Sequence, residues 1–199
     1  MPARLILASN SASRRALMSG AKLDFTTEAA EIDERAIEAE ETIRGARPPE
    51  IAAALAKAKA VDVSRRNPDA HVIGSDQVLS LRGKLFHKPR DMAEAGQHIR
   101  AMSGATHHLN CGVAIAHACQ VIWSDVSIAA MTMREVSDAF IERYLELSGD
   151  GILGSVGAYH FEGPGIQLFE KIEGDYFTIL GLPMLTLLAG LRELDLIDA

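Results

Sequence analysis

The chain has 199 residues, of which 48% are hydrophobic and 24% are charged, and its formal net charge is -7. This composition is ordinary for a globular protein, so we predict a single domain over residues 1–199 without extended disorder. The negative charge offers no general attraction to a nucleic-acid backbone or an anionic membrane, and we expect neither as a partner. A phosphate-bearing ligand would therefore need a local cluster of Lys and Arg side chains.

The two cysteines and the first apolar run predict a cytoplasmic protein. Cys111 and Cys119 lie within or beside an apolar stretch and lack the CxxC spacing of a metal site. We expect two buried free thiols, which suit a reducing compartment. The apolar run at residues 5–8 is too short for the hydrophobic region of a secretory signal and far too short to span a bilayer.

The first predicted unit is a strand, a polar loop and the start of a helix. Apolar residues 5–8 predict a buried strand that runs directly into a serine-rich stretch. Ser11 or Ser13 can serve as the N-cap, and helix-start amides beside Arg14 and Arg15 would form a compact anion site. The alternative is an ordinary serine cap followed by solvated arginines.

The next segments supply carboxylates and a long helix. A strand-like segment leads into an acidic stretch, and most of its acids are expected to form a solvated face. Asp33 and Glu34 are the exceptions, because a loop directly after a strand could point them into a cleft. Helical spacing over residues 51–63 predicts a helix in which at most one of Lys57 and Lys59 points inward.

The apolar run His71–Leu81 is interrupted near its middle by Gly74, Ser75, Asp76 and Gln77. We predict one buried strand with a polar notch, since carboxylates rarely lie inside a buried run without a partner. Glycine within a strand often marks a close approach of ligand or backbone, so Gly74 predicts that the notch opens on a cleft. The alternative is that Asp76 ends a strand and caps a turn.

The second half of the chain is predicted to add a hairpin, further strands and helices. A turn at residues 82–84 should bring Lys88 back towards the level of Asp76. The later predicted elements are a helix at 91–101, strands at 107–117 and 121–133, a helix at 136–147, strands near 166–169 and 176–180, and a helix from 183 to about 192. In the glycine-rich passage 154–165, Glu162 has a setting suited to a planar ligand, with a turn carboxylate as the alternative.

The candidate polar positions form one group of cations and one of carboxylates, each near a strand end or helix start. They are Arg14, Arg15, Lys59 and Lys88, and Asp33, Glu34 and Asp76. This combination suits hydrolysis of a phosphate ester. Cations and helix amides can hold phosphate oxygens, while carboxylates carry hydrated Mg²⁺ or Mn²⁺ and orient an attacking water. The sequence contains no Walker A motif and no GxSxG elbow.

Several motifs in a fixed order resemble those of the Maf family of nucleoside triphosphate pyrophosphatases. They are Leu-Ala-Ser-Asn-Ser-Ala-Ser-Arg-Arg at 7–15, Ile-Asp-Glu at 32–34, Gly-Ser-Asp-Gln at 74–77, His-Lys-Pro-Arg at 87–90, Ser-Gly at 103–104, the glycine-rich 154–165 and Gly-Leu-Pro at 181–183. The match covers essentially the whole chain. The resemblance implies a Maf/ITPase-like α/β fold, in which an elongated mixed β-sheet is flanked by helices, with two lobes, a central cleft and commonly a homodimer.

The resemblance also implies hydrolysis of a nucleoside triphosphate between its α and β phosphates, with a divalent metal cation, Mg²⁺ or Mn²⁺. It implies that Asp76 is the catalytic carboxylate, acting on water directly or through a metal-bound water. Glu34 is implied as the second metal or water partner. The residues implied to bind the substrate are Ser9, Ser11, Arg14, Arg15, Lys59 and Lys88.

Three positions, Ser13, Gln77 and Glu162, bear on the choice of substrate. In the branch associated with dTTP and UTP, the resemblance implies arginine, threonine and glutamine at these positions. The chain instead resembles the branch that acts on 7-methyl-GTP. A guanine edge presents two adjacent donors to a carboxylate, whereas uracil and thymine present one ring donor between two acceptors.

One departure from that branch is Ala12-Ser13, where Pro-Trp is common, so an aromatic stacking partner for the base is absent at this position. Two alternatives remain open. One is a pyrophosphatase for UTP, CTP, dTTP or another modified nucleotide. The other is a non-catalytic nucleotide-binding regulator of cell division.

Overall fold

The structure is a computed structural model that describes residues 3–198. The strands are β1 (Leu5–Leu7), β2 (Phe25–Thr27), β3 (His71–Leu81), β4 (Lys84–Phe86), β5 (Thr106–His117), β6 (Gln120–Met133) and β7 (Phe169–Glu173). The α-helices are α1 (Ala12–Gly20), α2 (Glu34–Ile43), α3 (Pro48–Arg66), α4 (Met92–Met102), α5 (Asp138–Ser148), α6 (Tyr176–Ile179) and α7 (Met184–Glu193). Among these helices of residues 3–198, none combines the length and apolar character needed to cross a bilayer.

The described strands form one mixed sheet in the order β2-β1-β3-β5-β6-β7, with β4 paired to β3. β1 runs parallel to both β2 and β3, whereas the pairs β3–β4 and β6–β7 are antiparallel. The register places Leu7 beside Thr27 on one side and Ile73 on the other, so the carboxyl ends of β1 and β2 lie at one edge. The predicted α/β class, a mixed sheet flanked by helices, is confirmed.

The chain divides into two compact units. Of the described residues, unit 1 contains 3–77, 110–128 and 175–198, and unit 2 contains 78–109 and 129–174. Strands β3, β5 and β6 contribute residues to both units.

In unit 1, helix α3 packs directly on the sheet because glycine removes the side chain at the contact. A Cβ atom on Gly74 would lie 2.1 Å from the carbonyl oxygen of Ala56 and 2.7 Å from the nitrogen of Ala60. On β5, a Cβ atom on Gly112 would lie 2.3 Å from the carbonyl oxygen of Ala52. The expectation that Gly74 opens on a cleft is therefore wrong, because the backbone of α3 fills that space.

Strand β3 presents alternate side chains to two different clusters of unit 1, as the pleat of a strand requires. Val72 packs with Val63 of α3, whereas the next residue, Ile73, packs with Met18 of α1 and Leu187 of α7. By the same alternation, residue 76 faces α3 and residues 75 and 77 face the opposite cluster. The two faces of β3 thus carry different polar groups at residues 75–77.

Two strands predicted near the C-terminus are wrong. The first segment is a 3₁₀ turn, Pro164–Leu168, and strand β7 begins only at Phe169. The second is the one-turn helix α6, because the side chain of Asp175 accepts a hydrogen bond from the backbone nitrogen of Thr178 and caps its start. Each segment is only partly buried, since Ile166 and Tyr176 are exposed whereas Leu168 and Ile179 are buried.

The two cysteines differ in burial. Cys111 is buried, as predicted, and burial raises the pKa of its thiol to about 12. Cys119 is exposed, so the prediction of a second buried thiol is wrong. It lies with Ala118 in the two-residue turn between β5 and β6, where both residues have positive φ, and such turns project into solvent.

In unit 2, buried polar contacts hold the glycine-rich segment. The hydroxyl of Tyr144 donates to the carbonyl oxygen of Ala158 at 3.1 Å, and the hydroxyl of Tyr159 lies 2.8 Å from Nε2 of His107. Burial, together with a smaller effect of the neighbouring His108, lowers the pKa of His107 to about 4. Burial also raises the pKa of Tyr159 far above its usual range, so the pair is neutral near pH 7.

We expect Gly74→Ala to lower the free energy of unfolding by about 3 kcal/mol, because the new methyl group meets the backbone of α3 and cannot be accommodated by a rotamer change. Denaturant titration measures this. Gly20→Ala is the control, since a Cβ atom at Gly20 meets nothing within 4 Å. Equal stability of the two variants would show that α3 does not press on Gly74.

We expect stability to depend on the protonation of His107. Its pKa is lowered from 6.5 to about 4 in the folded chain, so the unfolded chain binds more protons between these values. The stabilisation is present above pH 6.5 and is lost as the pH falls to about 4, by about 3 kcal/mol in total. Denaturant titrations across this range should show a shallower pH dependence for His107→Asn, and equal slopes would contradict the assignment.

Candidate active site

The centre of the candidate site is an ion triplet in unit 1. Nζ of Lys59 lies 2.5 Å from Oδ1 of Asp76 and 2.7 Å from Oε1 of Glu34. Lys59 and Asp76 are buried, with 9% and 7% of their surface exposed, whereas 55% of the Glu34 side chain is exposed. One ammonium group therefore bridges a buried carboxylate and one that is open to solvent.

The close packing of α3 on β3 explains the buried pair. Gly74 and Asp76 are two residues apart on the strand and share a face, and Lys59 immediately precedes Ala60, which contacts Gly74. The prediction that at most one of the two helix lysines points inward is confirmed, because Lys57 is exposed. The partner that Asp76 requires inside the buried strand is therefore the ammonium group of Lys59, which belongs to the same unit.

Glu34 reaches this pair from the first turn of α2. Oδ1 of Asp33 accepts a hydrogen bond from the backbone nitrogen of Ala36 at 3.0 Å and caps the helix, which makes Glu34 its first residue. The interpretation of Asp33 and Glu34 as loop residues is wrong in this respect. Asp33 stabilises the helix start, and of these two acidic residues only Glu34 contacts Lys59.

A second cation, Arg14, is held by neutral oxygen atoms. Its Nε donates to the carbonyl oxygen of Gly181 at 2.7 Å, and its Nη1 donates to the carbonyl oxygen of Ser75 at 2.8 Å and to Oγ of Ser9 at 3.3 Å. These acceptors orient the guanidinium group without cancelling its charge. Because the Ser75 carbonyl belongs to the peptide that leads into Asp76, Arg14 and the ion triplet meet at the middle of β3.

The start of α1 adds further polar groups beside Arg14. Of the two predicted N-cap residues, Ser11 caps the helix, and its Oγ accepts from the backbone nitrogen of Arg14 at 3.4 Å. Oγ of Ser9 accepts from the backbone nitrogen of Ser11 at 3.1 Å. Ser13 is exposed in the first turn. Arg15 lines an open groove together with Lys22 and strand β2.

Sequence reasoning missed the contacts made by the segment that follows β7. Nε2 of Gln77 donates to the carbonyl oxygens of Thr178 and Ile179, at 2.7 and 3.3 Å. Oγ of Ser75 donates to the carbonyl oxygen of Gly181 at 3.1 Å. The spacing of Asp175 and Thr178 is a helix-start signal that could have revealed α6, but no sequence signal indicates its partners on β3.

The remaining predicted residues, Lys88 and Glu162, belong to unit 2. Both are exposed. Glu162 follows the segment that Tyr144 and His107 hold in place. The contacts within unit 1 do not bear on either residue, so their roles towards a nucleotide stay predictions.

Asp76 and Glu34 are the acidic residues of this site that could hold a divalent cation. Their Oδ1 and Oε1 atoms converge on the point where the Lys59 ammonium lies. Across residues 3–198 there is no group of three or more His, Cys, Asp or Glu side chains that could hold a metal. Mg²⁺ is commonly bound by one or two carboxylates together with water and substrate phosphates, so two carboxylates suffice for such a site.

Comparisons with known proteins agree with the motifs. The Maf-like protein family model matches residues 4–194. The chain is 57% identical over 195 residues to the 7-methyl-GTP pyrophosphatase of Rhizobium meliloti (strain 1021), covering 98% of each chain. It is 54% identical over 198 residues to the protein of the same name from Brucella suis biovar 1 (strain 1330), covering 100% of each.

A third relative is the nucleoside triphosphate pyrophosphatase of Bradyrhizobium diazoefficiens. The chain is 49% identical to it over 193 residues, covering 97% of this chain and 95% of the relative. The family model and the relatives thus span nearly all of the sequence that builds both units. The chain belongs to the Maf family.

Proposed function

We propose that this protein hydrolyses a nucleoside triphosphate between its α and β phosphates and that its preferred substrate is 7-methyl-GTP. The observation that carries the proposal is the buried carboxylate of Asp76, paired with Lys59 at 2.5 Å, in the middle of β3 beside Ser75, whose carbonyl oxygen binds the Arg14 guanidinium. A carboxylate that can accept a proton and a cation that can bind phosphate are thereby brought to one place. The names of the relatives support the same reaction.

Arg14 is proposed to bind phosphate oxygens of the substrate. Its hydrogen bonds to Gly181, Ser75 and Ser9 all go to neutral acceptors, so its positive charge remains available to an anion. The N-terminus of α1 adds the partial positive charge of its backbone amides beside Arg14. The family resemblance implies that Lys88 also binds substrate phosphate, and this role stays a prediction.

Asp76 is proposed to act as the general base. Lys59 binds Oδ1, so the other carboxylate oxygen can accept a hydrogen bond from the attacking water and then its proton. The water oxygen forms a bond to the α phosphorus, and the bond from that phosphorus to the bridging oxygen breaks. The electron pair of that bond leaves with pyrophosphate, and the nucleoside monophosphate remains.

Glu34 and Asp76 are the residues that would hold a divalent cation, Mg²⁺ or Mn²⁺. When bound, such an ion neutralises part of the charge on the phosphate oxygens. Lys59 supplies a fixed positive charge between the same two carboxylates. It thereby reduces their mutual repulsion and keeps their oxygens close together.

Glu162 is proposed to read the base, because its carboxylate can accept both the N1–H and the 2-amino group of guanine. Methylation at N7 adds positive charge to the base and favours a carboxylate partner. A non-catalytic nucleotide-binding regulator is the less favoured alternative. A protein that only binds nucleotide has no need of a water-activating carboxylate at Asp76.

We expect pyrophosphate release to be fastest with 7-methyl-GTP in a panel that also contains GTP, UTP, CTP and dTTP, by about tenfold or more in kcat/KM. Glu162→Gln should reduce this preference, because an amide cannot accept both guanine donors. If UTP, CTP or dTTP is hydrolysed as fast as 7-methyl-GTP, the substrate assignment is wrong. If no nucleotide in the panel releases pyrophosphate, the proposed reaction is wrong.

We expect Asp76→Asn to lower kcat by about 10² or more, because an amide cannot take the proton from water. Binding of a non-hydrolysable triphosphate analogue, measured by calorimetry, should change little. Asp69→Asn is the matched control, since Asp69 is exposed in the turn before β3. Unchanged turnover in Asp76→Asn would remove Asp76 from the role of base.

A further inference from the structure

The segment that contains α6 and Gly181 binds to the residues on either side of Asp76. Oγ of Ser75 donates to the carbonyl oxygen of Gly181 at 3.1 Å, and Nε2 of Gln77 donates to the carbonyl oxygen of Thr178 at 2.7 Å. The two β3 residues that flank the proposed base therefore both hold this segment. Neither faces the same side of the strand as Asp76.

The carbonyl oxygen of Gly181 also orients Arg14. It accepts from Nε of Arg14 at 2.7 Å and from Oγ of Ser75, so one backbone oxygen joins the guanidinium group to β3. Gly181 has a φ of 93°, a conformation that favours glycine and that turns this carbonyl towards the strand. A shift of the segment would therefore move the acceptor that sets the plane of the guanidinium group.

Asp175 holds the segment in its conformation. Its Oδ1 accepts from the backbone nitrogen of Thr178 at 2.9 Å, and its Oδ2 accepts from the hydroxyl of the same residue, which is fully buried. α6 has only 4 residues, so it has little stability of its own. The cap at Asp175 therefore contributes a large share of what keeps the Thr178 carbonyl and Gly181 in place.

Gln77 uses both of its amide hydrogens on this segment. They bind the carbonyl oxygens of Thr178 and Ile179, at 2.7 and 3.3 Å. The amide nitrogen can donate to a nucleobase only by releasing α6. As a hydrogen-bond donor, Gln77 is thus engaged by the α6 segment, which gives it a route to the substrate through that segment.

We propose that Asp175 is a positioning residue for the triphosphate site, acting through Thr178 and Gly181 on Arg14, and that Gln77 affects nucleotide choice through the same segment. This inference rests on the proposed function, because it assumes that Arg14 binds the phosphates of a nucleotide that the protein hydrolyses. Arg14 contacts the substrate, whereas Asp175 acts only by fixing the direction of its guanidinium group.

We expect Asp175→Ala to raise KM for 7-methyl-GTP about tenfold while kcat stays within about twofold, because Arg14 binds phosphate before and during the reaction. Asp175→Asn should recover most of the affinity, since asparagine caps helices as well as aspartate does. Ser137→Ala is the matched control, because Ser137 caps α5 of unit 2 and its loss should leave KM unchanged. A merely structural role for Asp175 would lower the active fraction, and so apparent kcat, without changing KM.

A double variant tests the shared route of Gln77 and Asp175. If both residues act through α6, the double variant Gln77→Leu with Asp175→Ala should have the same KM, within about twofold, as the single variant with the higher KM. Asp175→Ala alone should then also shift the preference between 7-methyl-GTP and UTP. If Gln77 contacts the base directly, the two effects on KM multiply and Asp175→Ala leaves the preference unchanged. That result would overturn the role proposed for Gln77.

The two levels of the proposal fail in different ways. If the unmodified protein hydrolyses no nucleotide, the proposed function and this inference fall together. If it hydrolyses nucleotide but Asp175→Ala has the KM of the unmodified protein, only the positioning role is wrong. Melting temperatures of all variants confirm that the comparison is made between folded proteins.

Discussion

The structure of unit 1 depends on the buried ion pair between Lys59 and Asp76. A charge removed from water must be paired, and breaking such a pair by removing one partner costs about 3–5 kcal/mol. The pair exists only because α3 lies against the sheet, where Gly74 and Gly112 leave room for its backbone. The packing of α3 against Gly74 and Gly112 therefore determines whether Asp76 is paired with Lys59. The same packing contact affects both the stability of unit 1 and the proposed chemistry.

The pleat of β3 separates two sets of contacts at residues 75–77. Asp76 faces α3 and the carboxylate of Glu34, whereas Ser75 and Gln77 face α6 and the loop with Gly181. The chemistry proposed for Asp76 is thus supported from the opposite face by groups that touch neither Lys59 nor Glu34. The middle of β3 brings together segments that are far apart along the chain, because β1 ends beside Ile73 and leaves the following residues of β3 open to other contacts.

The two cations of unit 1 have different electrostatic roles. Lys59 is placed between two carboxylates, which together carry one more negative charge than it neutralises. Arg14 donates to carbonyl and hydroxyl oxygens, which carry no net charge. The first cation holds two carboxylates close together, and the second is suited to phosphate. The sequence analysis placed Lys59 and Arg14 in one group of cations, because the sequence does not reveal which groups each side chain contacts.

The sequence alone determined the buried strand His71–Leu81, a helix with at most one of Lys57 and Lys59 pointing inward, and the need of Asp76 for a partner, since periodicity and burial are encoded locally. The family motifs identified the reaction class. Only the tertiary structure decided that α3 fills the space at Gly74 and that Arg14 binds the carbonyl of Gly181, 167 residues away. Local patterns specify which face of an element is buried, but the backbone groups that meet it are set by packing between distant segments.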